Sequence, residues 1–210
     1  MKLSISAVLA CLFCLSAAPS PAASAAQERV VLAGGCFWGM QAVFESLKGV
    51  TGVVAGYAGG AAATAHYDMV STGTTGHAES VEVTFDPGKI SFRRLLDVYF
   101  LVAHDPTQLD RQGPDEGSQY RSEIFYTTAA QRNAALAYIA ALDRRRVYPG
   151  RVVTQLAPLR GFYAAESYHQ DFARNNPDNP YIVVNDLPKL RKLAQEFPQL
   201  VKPNAPLIGG

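Results

Sequence analysis

The chain has 210 residues, of which 48% are hydrophobic and 18% charged, with a formal net charge of +1. That length supports one globular domain with a substantial core, and the composition excludes long disordered stretches. A charge this close to zero gives no electrostatic support for nucleic acid or another polyanion as partner.

Residues 1–25 read as a secretory signal peptide, removed before the chain acts. Lys2 is a minimal positive head, residues 3–18 are mostly apolar, and Ala23-Ser24-Ala25 is a small-x-small cleavage site with cutting before Ala26. A membrane anchor is the competing reading; the apolar run is short for one and is interrupted by Ser4, Ser6 and Ser16. A lipoprotein reading, from Val8-Leu9-Ala10 before Cys11, is weakened by apolar sequence continuing past that cysteine. The expectation is therefore an exported protein, periplasmic or secreted, with no membrane association after cleavage. Cys11 and Cys14 have C-x-x-C spacing but fall in the removed segment, which leaves Cys36 as the one thiol of a single domain at 26–210. One cysteine makes no internal disulfide, and zinc bound through thiolates is not expected. Loss of Lys2 takes 19 basic residues to 18, equal to the 18 acidic ones.

Residues 29–32 read as a strand and 36–48 as a helix, with Met40, Val43, Phe44 and Leu47 on one apolar stripe and Gly49 closing it as a C′ glycine. Residues 50–57 suit a strand. The Gly-, Ala-, Thr- and Ser-rich stretch 58–76 has no sustained period and reads as a long surface loop, functional or disordered. Residues 77–85 alternate, with Glu79, Val81, Val83 and Phe85 on one face and Ser80, Glu82 and Thr84 on the other. After an Asp-Pro-Gly turn, Ser91 caps a helix carrying Phe92, Leu95, Leu96, Tyr99 and Phe100. A second loop, 104–119, precedes a strand at 122–126, a helix at 129–145, a strand at 151–156 and a short helix at 164–174. A final helix lies around 188–196, in a C-terminal extension from about residue 186. The alternation has a βαββαβ flavour over 29–127 and predicts an α+β, two-layer sandwich with a mixed or antiparallel sheet.

The stretch AGGCFWGMQ, residues 33–41, puts the lone thiol between glycines and two aromatics, at a strand-to-helix junction. Gly34 and Gly35 permit a sharp turn. Cys36 then stands at a helix N-terminus, where free backbone N–H groups favour an anion and lower a thiol pKa from about 8.5. The alternative is a buried structural cysteine. Phe37 and Trp38 lie off the apolar stripe; they are either core aromatics or the walls of a pocket for a methyl-bearing group. Glu79, bordering the core, is the candidate proton source, because desolvation raises a carboxyl pKa above about 4.3. Its alternative is a strand-edge ion pair. His66, His77, His104 and His169 make no metal set and read as structural, and Arg144-Arg145-Arg146 reads as a solvated helix end.

Three segments together, GCFWG (35–39), GHAESV (76–81) and QGPDEGSQYRS (112–122), resemble the A-type peptide methionine sulfoxide reductases; HDPTQ (104–108) and YHQDF (168–172) fit as well. The resemblance covers about residues 29–185. It implies a ferredoxin-like βαββαβ core, reduction of the S epimer of methionine sulfoxide in oxidised proteins or as the free amino acid, and no metal or prosthetic group. It makes Cys36 the nucleophile, Phe37 and Trp38 the methyl pocket, and Glu79 the acid on the sulfoxide oxygen. Tyr67 and Tyr120 match tyrosines bonded to that oxygen, and Asp115 an aspartate that holds the network. Two departures stand out. Gln41 replaces a glutamate that many relatives carry, and no cysteine follows Cys36, whereas relatives often resolve the sulfenic acid with a later one. An external thiol, from a thioredoxin-like or glutaredoxin-like protein or dithiothreitol in vitro, must then do so. A monomer is expected. A non-catalytic reader of oxidised methionine and another cysteine enzyme, a thiol hydrolase or peroxidase, are the competing functions.

Overall fold

The computed structural model describes residues 26–205; the signal-peptide expectation lies outside them. In chain order the elements are β1 (Glu28–Gly34), α1 (Phe37–Glu45), β2 (Val50–Ala58), α2 (Tyr67–Val70), β3 (Ala78–Phe85), α3 (Phe92–Val98), β4 (Arg111–Gln112), β5 (Asp115–Glu116), β6 (Ser122–Tyr126), α4 (Ala129–Arg145), β7 (Gln155–Pro158), β8 (Phe162–Ala164), α5 (Phe172–Asn175) and α6 (Leu187–Glu196). One sheet has six strands in the order β7-β6-β1-β3-β2-β8. All neighbours are antiparallel except β6 and β7. That parallel pair is joined by α4, the crossover a parallel connection needs.

The period-two pattern of the strands sorts their side chains. Val30 and Leu32 join Val81, Val83 and Phe85 in the main core, together with Met40 and Phe44 of α1, Leu95 of α3, Tyr138 of α4 and Leu190 of α6. The alternate residues Val31 and Ala33 face a smaller cluster with Ala58, Ala78 and Phe125, covered by Ala157, Leu159 and Phe162. The helices therefore cover one face, and the sheet curls over the other. Chain length forces the curl. From Pro158, on one edge strand, to Phe162, on the other, there are four peptide steps, at most ~14 Å. A flat sheet of this width would hold its edges ~24 Å apart.

Several local expectations change. The predicted strand at 151–156 begins later, at Gln155, because only from there does the chain meet β6. The predicted helix at 164–174 is instead the end of β8, a tight turn at Ser167–His169 and the short α5. The loop 58–76 is ordered and contains α2. α1 stops at Glu45, where the Ser46 hydroxyl donates to Ala42 O, so Gly49, with φ of 86°, lies in the turn that leads into β2 rather than capping the helix.

Candidate active site

β1 runs out at Gly34, and Gly35 turns the chain with φ of 92°. A side chain there would be strained, and its Cβ would also stand 2.6 Å from Gln112. Cys36 then takes the N-cap position of α1 with extended backbone (φ −53°, ψ 127°) and offers no oxygen to the helix. The placement matches the expectation; the electrostatics do not. Cys36 is 8% exposed. Burial, then the charges of Glu79 and Asp186, push the thiol well above its ordinary range, against the Trp38 N–H and Lys189. Desolvation outweighs the helix terminus, so the resting group is a thiol rather than a thiolate.

The register of the two central strands delivers the acid. Leu32 pairs with Val81, so β3 carries Glu79 toward the end of β1 where the chain turns into α1. Glu79 is 2% exposed, and its Oε2 accepts the Phe37 N–H at 3.1 Å. Burial pushes its carboxyl up to about 8, with the Asp115 charge adding and the Phe37 N–H opposing. It is therefore a neutral acid at pH 7.

Four phenols, of Tyr57, Tyr67, Tyr120 and Tyr181, share this electrostatic neighbourhood. Tyr67, opening α2, is placed by its own N–H donating to Glu166 Oε1 at 2.9 Å, while Tyr57 OH donates to Glu166 Oε2 at 2.8 Å. Tyr120 ends the turn that leads into β6. Burial raises the pKa of both Tyr67 and Tyr120, and the charges of Glu79, Asp115 and Cys36 raise them further. Asp115, on the β4–β5 hairpin, accepts a hydrogen bond from Tyr181 OH. Tyr181 is a site residue that no local sequence pattern marks, for its partner lies 66 positions away.

The two aromatics after Cys36 have different surroundings. Phe37 is 1% exposed, between the rings of Tyr57 and His169 at centroid distances of 5.8 and 5.0 Å. Trp38 is half-buried and stacks on Phe172 at 3.8 Å, with Tyr181 edge-on at 5.8 Å. Its indole N–H donates to His169 Nδ1 at 3.1 Å. His169 is buried, and burial lowers its pKa, which keeps Nδ1 an acceptor. His104 bonds Tyr99 O and Ser122 Oγ, and His77 bonds Gly60 N and Ala61 O. Among the described residues no group of three His, Cys, Asp or Glu is placed to hold a metal ion.

Gln41 is part of the scaffold. It is 2% exposed, donates to Val53 O and Gln170 Oε1, and accepts from the Asp171 N–H. It thereby ties α1 to β2 and to the segment bearing His169 and Phe172. The described residues of the C-terminal tail, 197–205, pack away from Cys36. Lys202 N–H donates to Ser46 O, and Leu47 pairs with Val201, at the opposite end of α1.

A thiol at a helix start beside a buried carboxyl and a group of tyrosines is the arrangement of a candidate thiol oxidoreductase site. The family model of peptide methionine sulfoxide reductase matches residues 28–200, and the chain belongs to that family, in its A-type branch. The chain is an oxidoreductase, a peptide methionine sulfoxide reductase. It is 52% identical to MsrA 2 of Mesorhizobium japonicum over 186 residues, 89% of this chain and 95% of that protein. It is 46% identical to MsrA of Deinococcus radiodurans over 82% of this chain and 84% of the relative. Among solved structures, MsrA of Corynebacterium diphtheriae superposes with a TM-score of 0.64 at 34% identity, covering 73% of this chain and 76% of that one. Reduced Mxr1 of Saccharomyces cerevisiae gives 0.67 at 31% identity, covering 73% and 87%.

Proposed function

We propose that the enzyme reduces the S epimer of methionine sulfoxide, in exported proteins or as free amino acid, through a sulfenic acid on Cys36 that an external thiol then removes. The observation that carries this reading is the Glu79 carboxyl, neutral and hydrogen-bonded to the backbone beside the thiol. The sulfoxide methyl lies in the aromatic pocket at Trp38, which Phe37 backs from the core. Cys36 Sγ attacks the sulfoxide sulfur. Glu79 gives its proton to the sulfoxide oxygen, Tyr67 and Tyr120 donate hydrogen bonds to it, and Asp115 orients the network through Tyr181. The thiol proton restores Glu79. Oxygen passes from substrate sulfur to Cys36, which becomes the sulfenic acid as methionine leaves.

The sulfenic acid then reacts with an outside thiol, releasing water and forming a mixed disulfide. A second thiol returns Cys36 and leaves the reductant as a disulfide. Cysteine count supports this route, since no cysteine follows Cys36. A thioredoxin-like or glutaredoxin-like protein fits the role. The residue pattern of 1–25 supports export. The order β6-β1-β3-β2, antiparallel throughout, supports the ferredoxin-like reading of the core.

The test is reduction of dabsyl-methionine sulfoxide with dithiothreitol. Wild type turns over, Cys36→Ser does not, and Glu79→Gln is strongly impaired. Unimpaired Cys36→Ser would remove the nucleophile from the scheme, and binding without turnover in wild type would leave a reader of oxidised methionine.

A further inference from the structure

One buried ion pair has no part in the scheme above, yet it lies against the same turn of helix as the nucleophile. Cys36 and Gly39 are three residues apart at the start of α1 and share a face. A Cβ on Gly39 would stand 2.0 Å from Asp186 Oδ1 and 3.0 Å from Lys189 Nζ. The absence of a side chain at Gly39 is therefore what lets this pair press onto the helix one turn from the thiol. Lys189 Nζ donates to Asp186 Oδ1 at 3.0 Å. Asp186 is 0% exposed, and its second oxygen, Oδ2, has no hydrogen-bond partner.

Such a pair is a poor stabilising device. A buried ion pair scarcely recovers its desolvation cost even when every lone pair is satisfied, and apolar residues of similar volume often serve better. Here one oxygen is left bare. Its position relative to Cys36 offers another role. Of the charged side chains acting most on the thiol, Glu79 and Asp186 oppose ionisation and Lys189 favours it. The other ionisable groups around the site are Asp115, the phenols of Tyr67, Tyr120 and Tyr181, and His104, which also feels Lys189. Glu79 is neutral at pH 7 and withdraws most of its opposition there. The Asp186–Lys189 pair then brings groups of opposite sign to bear on Cys36.

We propose that the Asp186–Lys189 pair tunes the reactivity of Cys36, with Lys189 steadying the thiolate as it forms and Asp186 holding Lys189 in place while keeping the resting thiol protonated. Both act on the reaction through Cys36 and are positioning residues. The proposal rests on Cys36 being the nucleophile. It gives the enzyme a thiol that is quiet toward stray oxidants yet has a cation in reach when a sulfoxide arrives.

The test is the pH dependence of Cys36 alkylation by iodoacetamide in the full domain, read by mass spectrometry of the Cys36 peptide. Below the thiol midpoint, Lys189→Met should slow alkylation by about 3- to 10-fold and Asp186→Asn should accelerate it by a similar factor, because the lost charges have opposite sign. Lys189→Arg should restore most of the wild-type rate. A merely structural pair would move both variants in the same direction, through loosening, or neither; either result overturns the proposal. If Lys189→Met fails to fold, Asp186→Asn and Lys189→Arg carry the test alone, and an unshifted Asp186→Asn profile refutes it. Alkylation needs no sulfoxide, so a wild type inactive toward methionine sulfoxide would sink the functional reading and leave this measurement standing.

Discussion

Glu79 Oε2 accepts the backbone N–H of Phe37 at 3.1 Å, across 42 positions of sequence. The contact fixes the acid against the same helix terminus that carries Cys36. It also sets up a competition at one carboxyl: the N–H favours the anion, burial favours the neutral acid, and burial wins, lifting the group to about 8.

The sign of the pH dependence follows. In the proposed reaction Glu79 holds, below about 8, the proton destined for the sulfoxide oxygen; above it the proton is gone. Methionine formation in a single turnover should therefore decline as pH rises through about 8. Single-turnover rates keep the ionisation of the reductant out of the measurement. Glu79→Gln should lose that alkaline decline and fall by about 10²- to 10⁴-fold. An alkaline limb that survives in Glu79→Gln would assign it to another group.

Trp38 is the only tryptophan in the chain, so its fluorescence reports on the pocket directly. Phe172→Ala removes the ring stacked on it at 3.8 Å, and His169→Phe removes the acceptor of its indole N–H. Both variants should shift the emission, and both should raise KM more than they lower kcat, because they loosen the pocket without touching the reacting atoms. A loss confined to kcat would show that these residues take part in the chemistry itself.

Gln41 uses both ends of its amide inside the fold. Gln41→Glu keeps the acceptor for the Asp171 N–H but turns the donor end into an oxygen facing Val53 O and Gln170 Oε1. The expected cost is about 1–3 kcal/mol of stability, measured by denaturant unfolding. Activity per folded molecule should be little changed. A collapse of kcat in a variant of unaltered stability would instead place residue 41 in the chemistry.

Glu45 gives a prediction about stability. Burial, followed by the neighbouring Asp171 carboxyl, pushes its carboxyl from an ordinary 4.5 to about 8. The folded protein therefore holds this proton more tightly than the unfolded chain. Its contribution is complete below about 4.5 and is lost as pH rises through about 8. The melting temperature of wild type should fall more steeply from pH 5 to pH 9 than that of Glu45→Gln. Taking the difference between the two proteins cancels Glu79, which titrates over the same range. Equal slopes would contradict the assignment.

The sequence was informative where local pattern and tertiary packing agree. The strand 122–126 and the helix 129–145 coincide with β6 and α4, and the alternation of residues 77–85 correctly put Glu79 on the core face. The stripe Met40, Val43, Phe44 and Leu47 is fully buried as its spacing requires. Short segments held by distant partners were not legible. β8 is three residues long and exists because β2 pairs with it. α2 sits in a glycine- and alanine-rich stretch, anchored by Glu166 from 99 positions away. The charge state of Cys36 could not be read from the helix start alone. Burial and the carboxylates of residues 79 and 186 outweigh a terminus that by itself favours the thiolate. Tyr181, Asp186 and Lys189 reach the site through folding alone.

The account stands on oxygen passing from the substrate to Cys36 with no second protein cysteine to remove it. The most direct measurement is mass spectrometry of the 26–210 domain after incubation with excess methionine sulfoxide and no reductant. The expected result is one methionine formed per chain and a Cys36 peptide heavier by one oxygen atom, reverting when thiol is added. Several methionines per chain without any reductant, or one methionine per chain with Cys36 unmodified, would contradict it.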